Sequence, residues 1–335
     1  MGVDILEIQS LLGLYTRYRD AAATTLDPYF TTRGNTEDGP SVNWDVLEMG
    51  RGIAKINTRE GEPNQVKPPT RANITATGLN ISEGIRIPPS ILNDLRAPGE
   101  LRVANGEQWV GWNILELRQR KEKRLELLKA QLMGQNASNP GYLQFRRPGL
   151  STDTTVSLGF AAGHLAIGSA WSTSSTDIIA DIQAAKLKNI QDSGVRSDAM
   201  WLTSTVMGYI INNDQVNAFL SDIAKDEIRT TGRIKELCEL ELILVDAQYD
   251  ATDAGSMTNY WPTNGVVIGP KTSTNRQIIE CSPVSIHAPA GSRGMFMMTR
   301  DEPGIKGGKI IEYEWTGLPV YITPDEIMSD VDVTA

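Results

Sequence analysis

Catalysis needs titratable or nucleophilic groups that converge, and this chain has few candidates. Its two histidines stand in unrelated settings, Gly163-His164-Leu165 and Ile286-His287-Ala288. Neither has a zinc-ligand spacing nearby, and no HExxH or CxxC occurs, so both are expected to be structural. Cys238 and Cys281 are too few for a disulfide framework and are expected to be small buried apolar groups. The run Gly265-Val266-Val267-Ile268-Gly269-Pro270-Lys271-Thr272 has the outline of a phosphate loop. It has three residues between its glycines rather than four, and Pro270 stands before the lysine and removes an amide that would hold phosphate. Asp250 to Gly255 lacks the alternating acids and distant glutamate of a calcium loop and predicts a turn. Between Glu236 and Trp261 lie Glu236, Glu239, Glu241, Asp246, Asp250 and Asp253 with no basic residue. A hydrolase using these acids is the enzymatic reading of the chain. Nothing in their spacing fixes a pair across a cleft, so a solvated acidic surface is expected instead. No cofactor or metal is called for.

The totals narrow the classes further. The chain has 335 residues, 40% of them hydrophobic and 22% charged, enough for a substantial core. A net charge of −9 argues against gripping nucleic acid by bulk attraction. The start has no basic segment leading into an apolar one, and no apolar run approaches membrane length. A reducing cytoplasm is the expected place of synthesis.

The elements that must position these residues are legible from periodicity. Asp4 to Arg19 predicts an amphipathic helix with Ile5, Ile8, Leu11, Leu12 and Tyr15 on one face. A polar linker from Thr31 to Ser41 isolates it, so its apolar face needs the body of the protein or a neighbour to cover it. Val42, Trp44 and Val46 alternate with polar residues as in a half-buried strand, and Ile74, Ala76, Ile85 and Ile87 supply the returning side. The excursion between, Arg51 to Arg71, is charged and nearly devoid of apolar residues; a hairpin this long needs a partner surface to stay ordered.

Val110, Ile114, Leu117, Leu125, Leu128 and Leu132 predict a long helix over 106–133, about 40 Å long, with Lys121 in a gap of its stripe. Its middle carries Arg118, Arg120, Lys121, Lys123 and Arg124, read first as a solvated face and second as a contact for an acidic neighbour or nucleic acid. Thr176 to Asp192 predicts a helix with Ile178, Ile179, Ile182, Ala185, Leu187 and Ile190 inward. Met200 to Leu202 and Gly265 to Gly269 predict buried strands. Asp214 is expected to cap a helix running to Ile223. Cys238, Leu240, Leu242 and Leu244 predict one strand with one buried face, and the last eleven residues an acidic tail. Helices and strands fall in separate blocks, an α+β arrangement.

This order of parts resembles that of tailed-bacteriophage major capsid proteins and, more narrowly, the lambda-type major capsid protein E family. Asp27-Pro28-Tyr29-Phe30-Thr31-Thr32 resembles that family's entry into an extended loop. Val42 to Ile56, with Gly50-Arg51-Gly52-Ile53-Ala54, resembles its outgoing arm, and Val66-Lys67-Pro68-Pro69 its return turn. Asn259 to Gly269 resembles the segment before its final strands. Leu318-Pro319-Val320-Tyr321 with Pro324-Asp325-Glu326 resembles its close.

The resemblance implies a Hong Kong 97-type fold. Its parts would be an N-terminal arm (1–40), an extended loop (41–87), a peripheral domain (88–150) with the spine helix, an axial domain with peripheral strands (151–310), and closing strands with an acidic tail (311–335). It implies a self-assembling shell subunit, not an enzyme, forming hexamers and pentamers of an icosahedral head around packaged double-stranded DNA. The partners it implies are further copies of the chain, a separate scaffold protein, a decoration protein, a portal, and DNA held without sequence specificity; no membrane is among them. Assembly would take place in the bacterial cytoplasm, and the product would be the virion capsid. Arg51, Lys55, Arg59, Glu60, Glu62, Lys67 and Arg71 would lie over a neighbouring subunit. The five basic spine residues and the arm's apolar face would make further contacts. Some relatives cross-link through Lys and Asn; Lys55 and Lys67 lie in that region, but the lambda-type members lack that chemistry and no link is expected. An encapsulin-like cellular compartment with the same fold is the alternative, and a tail-tube subunit a weaker one.

Overall fold

The computed structural model describes residues 11, 25–35, 39, 41–47, 71–96, 100–145, 152–161, 163–250, 255–289, 291–302 and 308–334. Leu11 is helical and buried. A short 3-10 turn over Asp27–Tyr29, with Pro28 fixing φ at its second residue, leads into β1 (Thr31–Gly34). Strand β2 (Ser41–Leu47) buries Val42 and Trp44 and exposes Ser41 and Asn43, as the alternation predicts. It pairs with β3 (Arg71–Thr77). Then follow β4 (Leu79–Ile87), α1 (Pro89–Arg96) and α2 (Glu100–Leu132). Helix α2 begins six residues before the expected start and buries Val110, Ile114, Leu117, Leu125, Leu128 and Leu132.

Strands β5 (Tyr142–Phe145) and β6 (Thr154–Ser157) pair with each other. Helix α3 (Ile178–Ser193) starts where Asp177 accepts from the Ala180 amide and stops at Gly194, whose φ of 73° is the usual left-handed terminator. After β7 (Ala199–Leu202) come α4 (Ser204–Ile211), α5 (Asp214–Phe219) and α6 (Asp222–Thr231). The remaining strands are β8 (Glu236–Leu237), β9 (Leu240–Leu244), β10 (Gln248–Asp250), β11 (Met257–Asn259), β12 (Val266–Gly269), β13 (Arg276–Glu280), β14 (Met295–Asp301), β15 (Lys309–Tyr321) and β16 (Met328–Asp330).

The chain divides into two compact units. The first holds residues 1–42, 76–126 and 277–319. Its sheet has the order β1-β13-β15-β14, with β4 also on β15. Strand β1 runs parallel to β13, while β4 and β14 run antiparallel to β15. Its buried side chains include Ile87, Ile278, Ile279, Phe296, Met297, Ile311, Tyr313, Trp315 and Leu318. The buried Glu126 carboxylate accepts from the Leu26 amide at 2.9 Å and fastens the start of β1's segment to α2.

The second unit holds residues 43–75, 127–276 and 320–335. Its sheet has the order β16-β12-β7-β9-β8, antiparallel except where β7 and β9 run parallel. Helices α3 and α4 cover it with Ile178, Ile182, Ala185, Val206 and Ile210 against Met200, Leu202, Val266, Ile268 and Leu240.

Five expectations need correction. Ile85 and Ile87 do not return to β2; β3 does, and β4 pairs instead with β15 over nine residues. Asn213, not Asp214, caps α5, its side chain accepting from the Val216 amide, and the helix ends at Phe219 because Leu220 is extended and Ser221 caps a new one. Cys238 and Glu239 do not extend a strand. Both lie at positive φ, 51° and 63°, and form the two-residue hairpin turn between β8 and β9. On α3 the buried stripe is Ile178, Ile182, Ala185, Asn189 and Ser193, leaving Leu187 55% and Ile190 44% exposed. Finally, the acidic tail is no tail: Glu326, Ile327, Met328, Ser329 and Asp330 are all buried, and β16 pairs antiparallel with β12.

Candidate functional site

Of the two histidines expected to be structural, one is spent on structure and the other is not. His164 is fully buried, with Nδ1 2.9 Å from the Ile327 carbonyl and Nε2 2.8 Å from Asp192 Oδ2. Its own carbonyl accepts from the Ser329 amide, so one residue ties two points of the β16 segment to α3. His287 is exposed on a loop. Cys281 is buried as expected, whereas Cys238, at its turn, is only partly so; desolvation raises the thiol pKa of both, which favours the thiol over the nucleophilic thiolate.

The acids between Glu236 and Asp250 do not converge: Glu236 is exposed at the start of β8, and the others have separate partners. Glu239 receives Arg196 at 2.5 Å and Lys186 at 3.3 Å, and those hydrogen bonds, Arg196 first, hold its carboxyl below the ordinary value. Glu241 pairs with Lys271 at 2.6 Å. Asp246 accepts from the Ser204 amide and Asp250 from the Gly255 amide. Asp253 lies outside the described residues. Among the described residues no cluster of three His, Cys, Asp or Glu could hold a metal.

The glycines of the phosphate-loop outline have packing reasons. A Cβ on Gly265 would collide with Gln135 Oε1 and the Trp261 indole, and one on Gly269 with Ile327. Past the strand, the Arg276 guanidinium donates to the carbonyls of Pro270 and Lys271 and lies 5.3 Å from the Trp201 ring centre. Those carbonyls are taken up by a cationic side chain of the subunit itself.

The residues expected to make contacts divide sharply. Of the arm face only Leu11 is described; Ile5, Ile8, Leu12 and Tyr15 lie outside the described residues. Arg51, Lys55, Arg59, Glu60, Glu62 and Lys67 do too, and Arg71 is described only as the first residue of β3. The basic run on α2 is not one uniform face. Arg120 Nε binds Glu83 Oε2 at 2.8 Å, Lys121 is buried with its ammonium 2.5 Å from Glu122, and Arg118 is half-buried. Lys123 and Arg124 are exposed. Lys121 stands at the stripe's helical spacing, where an aliphatic stem can lie along apolar neighbours.

Two sets of residues escaped the sequence analysis. One is the buried polar system that locks β16. Gln135 Nε2 donates to Val266 O, Ser329 Oγ and Asp330 O. Glu326 accepts from Tyr321 and Asn275. Asp330 accepts from the Ile167 and Asp332 amides. The other is the exposure of apolar side chains: Trp112 on α2, Leu187 and Ile190 on α3 (a helix legible in the sequence, unlike their outward position), Phe219 at the end of α5, Ile223 on α6, and Val284 and Ile286 on the loop before β14. A hydropathy pattern gives the period of a stripe but not which of two flanking columns is covered.

The comparisons with known proteins address the whole chain. The family model for phage major capsid protein E matches residues 10–329. A prophage protein of Escherichia coli CFT073, assigned as a capsid protein, has a similar structure: TM-score 0.67, 12% identity, 98% of this chain and 99% of that one covered. A phage-related protein of Bordetella bronchiseptica RB50 superposes with TM-score 0.53 at 12% identity, covering 99% of this chain and 98% of that one. No curated protein sequence matches.

Proposed function

Since this chain belongs to the phage major capsid protein E family, it is a structural protein of a phage head and not an enzyme, and we propose that its mechanism is staged assembly through surfaces that the single subunit leaves uncovered. Its fold is the Hong Kong 97 type. Proteins of this family associate with themselves into an icosahedral shell, the virion capsid. The observation that carries the reading is the family match over residues 10–329.

The finer reading is as follows. Subunits form hexamers and pentamers in the host cytoplasm around a separate scaffold protein, with a portal and a decoration protein as further partners, and the closed head holds double-stranded DNA without sequence preference. Residues 1–40 serve as the N-terminal arm, 41–87 as the extended loop, 88–150 as the peripheral domain with α2 as its spine, 151–310 as the axial domain with peripheral strands, and 311–335 as the closing strands. The pairing of β2 with β3 supports the loop assignment, since the sequence that joins them is charged with almost no apolar content of its own. Arg51, Lys55, Arg59, Glu60, Glu62, Lys67 and Arg71 on that loop reach a neighbouring subunit. The arm's Ile5, Ile8, Leu11, Leu12 and Tyr15 dock on the body or on a neighbour. Exposed Lys123 and Arg124 support a spine contact with an acidic surface. The net charge of −9 suits a container wall that DNA slides along rather than adheres to.

Electron microscopy of the purified protein, with and without Arg59 to Lys67, tests this. The full chain should give closed shells, and the deletion a soluble subunit that cannot close them. Shells of normal stability from the deletion would refute the loop assignment, and a chain that stays a rigid monomer at high concentration would refute assembly itself. Packaged nucleic acid, rather than an enclosed protein, separates a phage head from a cellular compartment.

A further inference from the structure

The hydrogen bonds of His164 require one proton more than a neutral ring and a carboxylate supply. The ring is fully buried, and both of its nitrogens face oxygens. Nδ1 lies 2.9 Å from the Ile327 carbonyl, which only accepts. Nε2 lies 2.8 Å from Asp192 Oδ2, which as a carboxylate also only accepts. A neutral imidazole has one N–H and one lone pair, so in either tautomer a lone pair would point at an oxygen. Both contacts are hydrogen bonds only when the pair holds an added proton, on the ring or on the carboxyl. Lys188 decides between the two. Its ammonium lies 3.0 Å from the same Oδ2, and a charged donor beside that oxygen favours the carboxylate. The proton therefore belongs to the ring.

The other charges around the site are engaged elsewhere. On the segment packed against the ring, Asp325 takes the Ala161 amide, and Glu326 takes Tyr321 and Asn275. Asp330 takes the amides of Ile167 and Asp332. Among the described residues Asp192 is thus the carboxylate that answers the ring, with Lys188 on its far side. We propose that His164 is an imidazolium in the folded subunit and that this one proton latches the segment through β16 onto α3. The His164 carbonyl, accepting from the Ser329 amide at 2.8 Å, is the second point of the latch. With the proton in place, loop, helix and strand are joined by charge-assisted bonds. Without it, one ring contact becomes a repulsion that water cannot relieve, because the ring is sealed. The contribution is complete while the ring is charged and is lost as pH rises and the proton leaves. The latch is a property of the single subunit and does not depend on how copies assemble.

His164 and His287 are the chain's two histidines, so labelling histidine alone with nitrogen-15 gives a spectrum of two rings. NMR of the dilute, unassembled subunit at about pH 7.5, where an ordinary histidine of pKa about 6.5 is mostly neutral, should show both His164 nitrogens protonated. The exposed His287 is the reference in the same spectrum. A lone pair on either His164 nitrogen at that pH would overturn the proposal. Asp192→Asn is the second arm. An amide can donate to Nε2 where a carboxylate cannot, so this variant should hold a neutral ring, with its proton on Nδ1 and the bond to Ile327 kept. Hydrogen exchange of the Ser329 amide, corrected for the intrinsic effect of pH, reads the latch itself. In the unsubstituted subunit its protection should fall at least about tenfold as the ring loses its proton. In the variant it should stay level over the same range. A histidine that serves only as packing would give a neutral ring in both proteins and parallel exchange profiles, and either result would refute the inference. The spectrum of the unsubstituted chain decides the matter if the variant folds poorly.

Discussion

Met328→Ala tests whether the end of the described chain is structural. Met328 is 3% exposed, sits in β16 opposite Ile268, and belongs to the core that Ile182, Val266 and Leu202 share. Burying a methionine is worth about 1.5–3 kcal/mol, and a cavity left behind in a packed interior brings typical truncations to about 2–5 kcal/mol. A residue in a solvated tail would instead change stability by less than about 0.5 kcal/mol. Urea unfolding of the unassembled subunit, followed by fluorescence of the buried Trp201 and Trp261, separates these outcomes. With a slope of about 2 kcal/mol/M the midpoint should fall by about 1 to 2.5 M at unchanged slope. The protein must be dilute enough not to assemble, because association adds its own concentration-dependent stability. A midpoint shift under about 0.3 M would show that β16 is not part of the core and would undo the account of this sheet edge.

His164→Ala should cost about 2–4 kcal/mol, since it leaves the Ile327 carbonyl and an Asp192 oxygen without the ring; His287→Ala on its exposed loop is the control, and equal urea midpoints for the two would refute the structural role. Stability should fall at both ends of the pH range. Asp332 is held below its ordinary 3.8, first by the Thr334 hydroxyl and amide and then by Asn264, so its contribution is present above that value and lost as pH falls through its lowered pKa. Burial pushes Tyr321 well above 10.0, so the unfolded chain ionises first and stability declines as pH climbs past 10. Thermal unfolding as a function of pH checks both limbs, and Tyr321→Phe should flatten the alkaline one alone; an alkaline limb unchanged in that variant would refute its assignment.

Periodicity made the framework legible. The stripe from Val110 to Leu132 gave α2, and continuous apolar runs gave β7 and β12. What it could not give were events decided by single tertiary contacts. The turn at Cys238-Glu239 interrupts an alternation that looks unbroken, and neither residue is a turn former. It is held instead by Lys186 on the Cys238 carbonyl and by Lys186 and Arg196 on Glu239. The final acids looked like a solvated tail because a composition count does not reveal that Tyr321, Asn275 and Asn264 wait to donate to them. On α3, Asn189 took the buried position beside Ser197 and the Ile268 carbonyl, and Leu187 and Ile190 took the outside, a reversal of the hydropathic order. The family was legible through the order of elements, which survives at an identity of 12% to the prophage structure because packing constrains order more than residue type.

The placement of β16 sets a kinetic problem for a newly made subunit. Gln135 must wait for Asp330, 195 positions later, before its amide is fully engaged, and β12 has no outer neighbour until that segment arrives. Pairings of such long range form late and slowly. In the interval β12 presents unpaired amides and carbonyls beside apolar side chains, the surface on which unfinished chains stick to one another. A protein needed in many copies at once therefore makes its yield depend on how quickly this strand closes relative to collisions between unfinished neighbours. Crowded synthesis, rather than the strength of the finished shell, then becomes the point at which production fails.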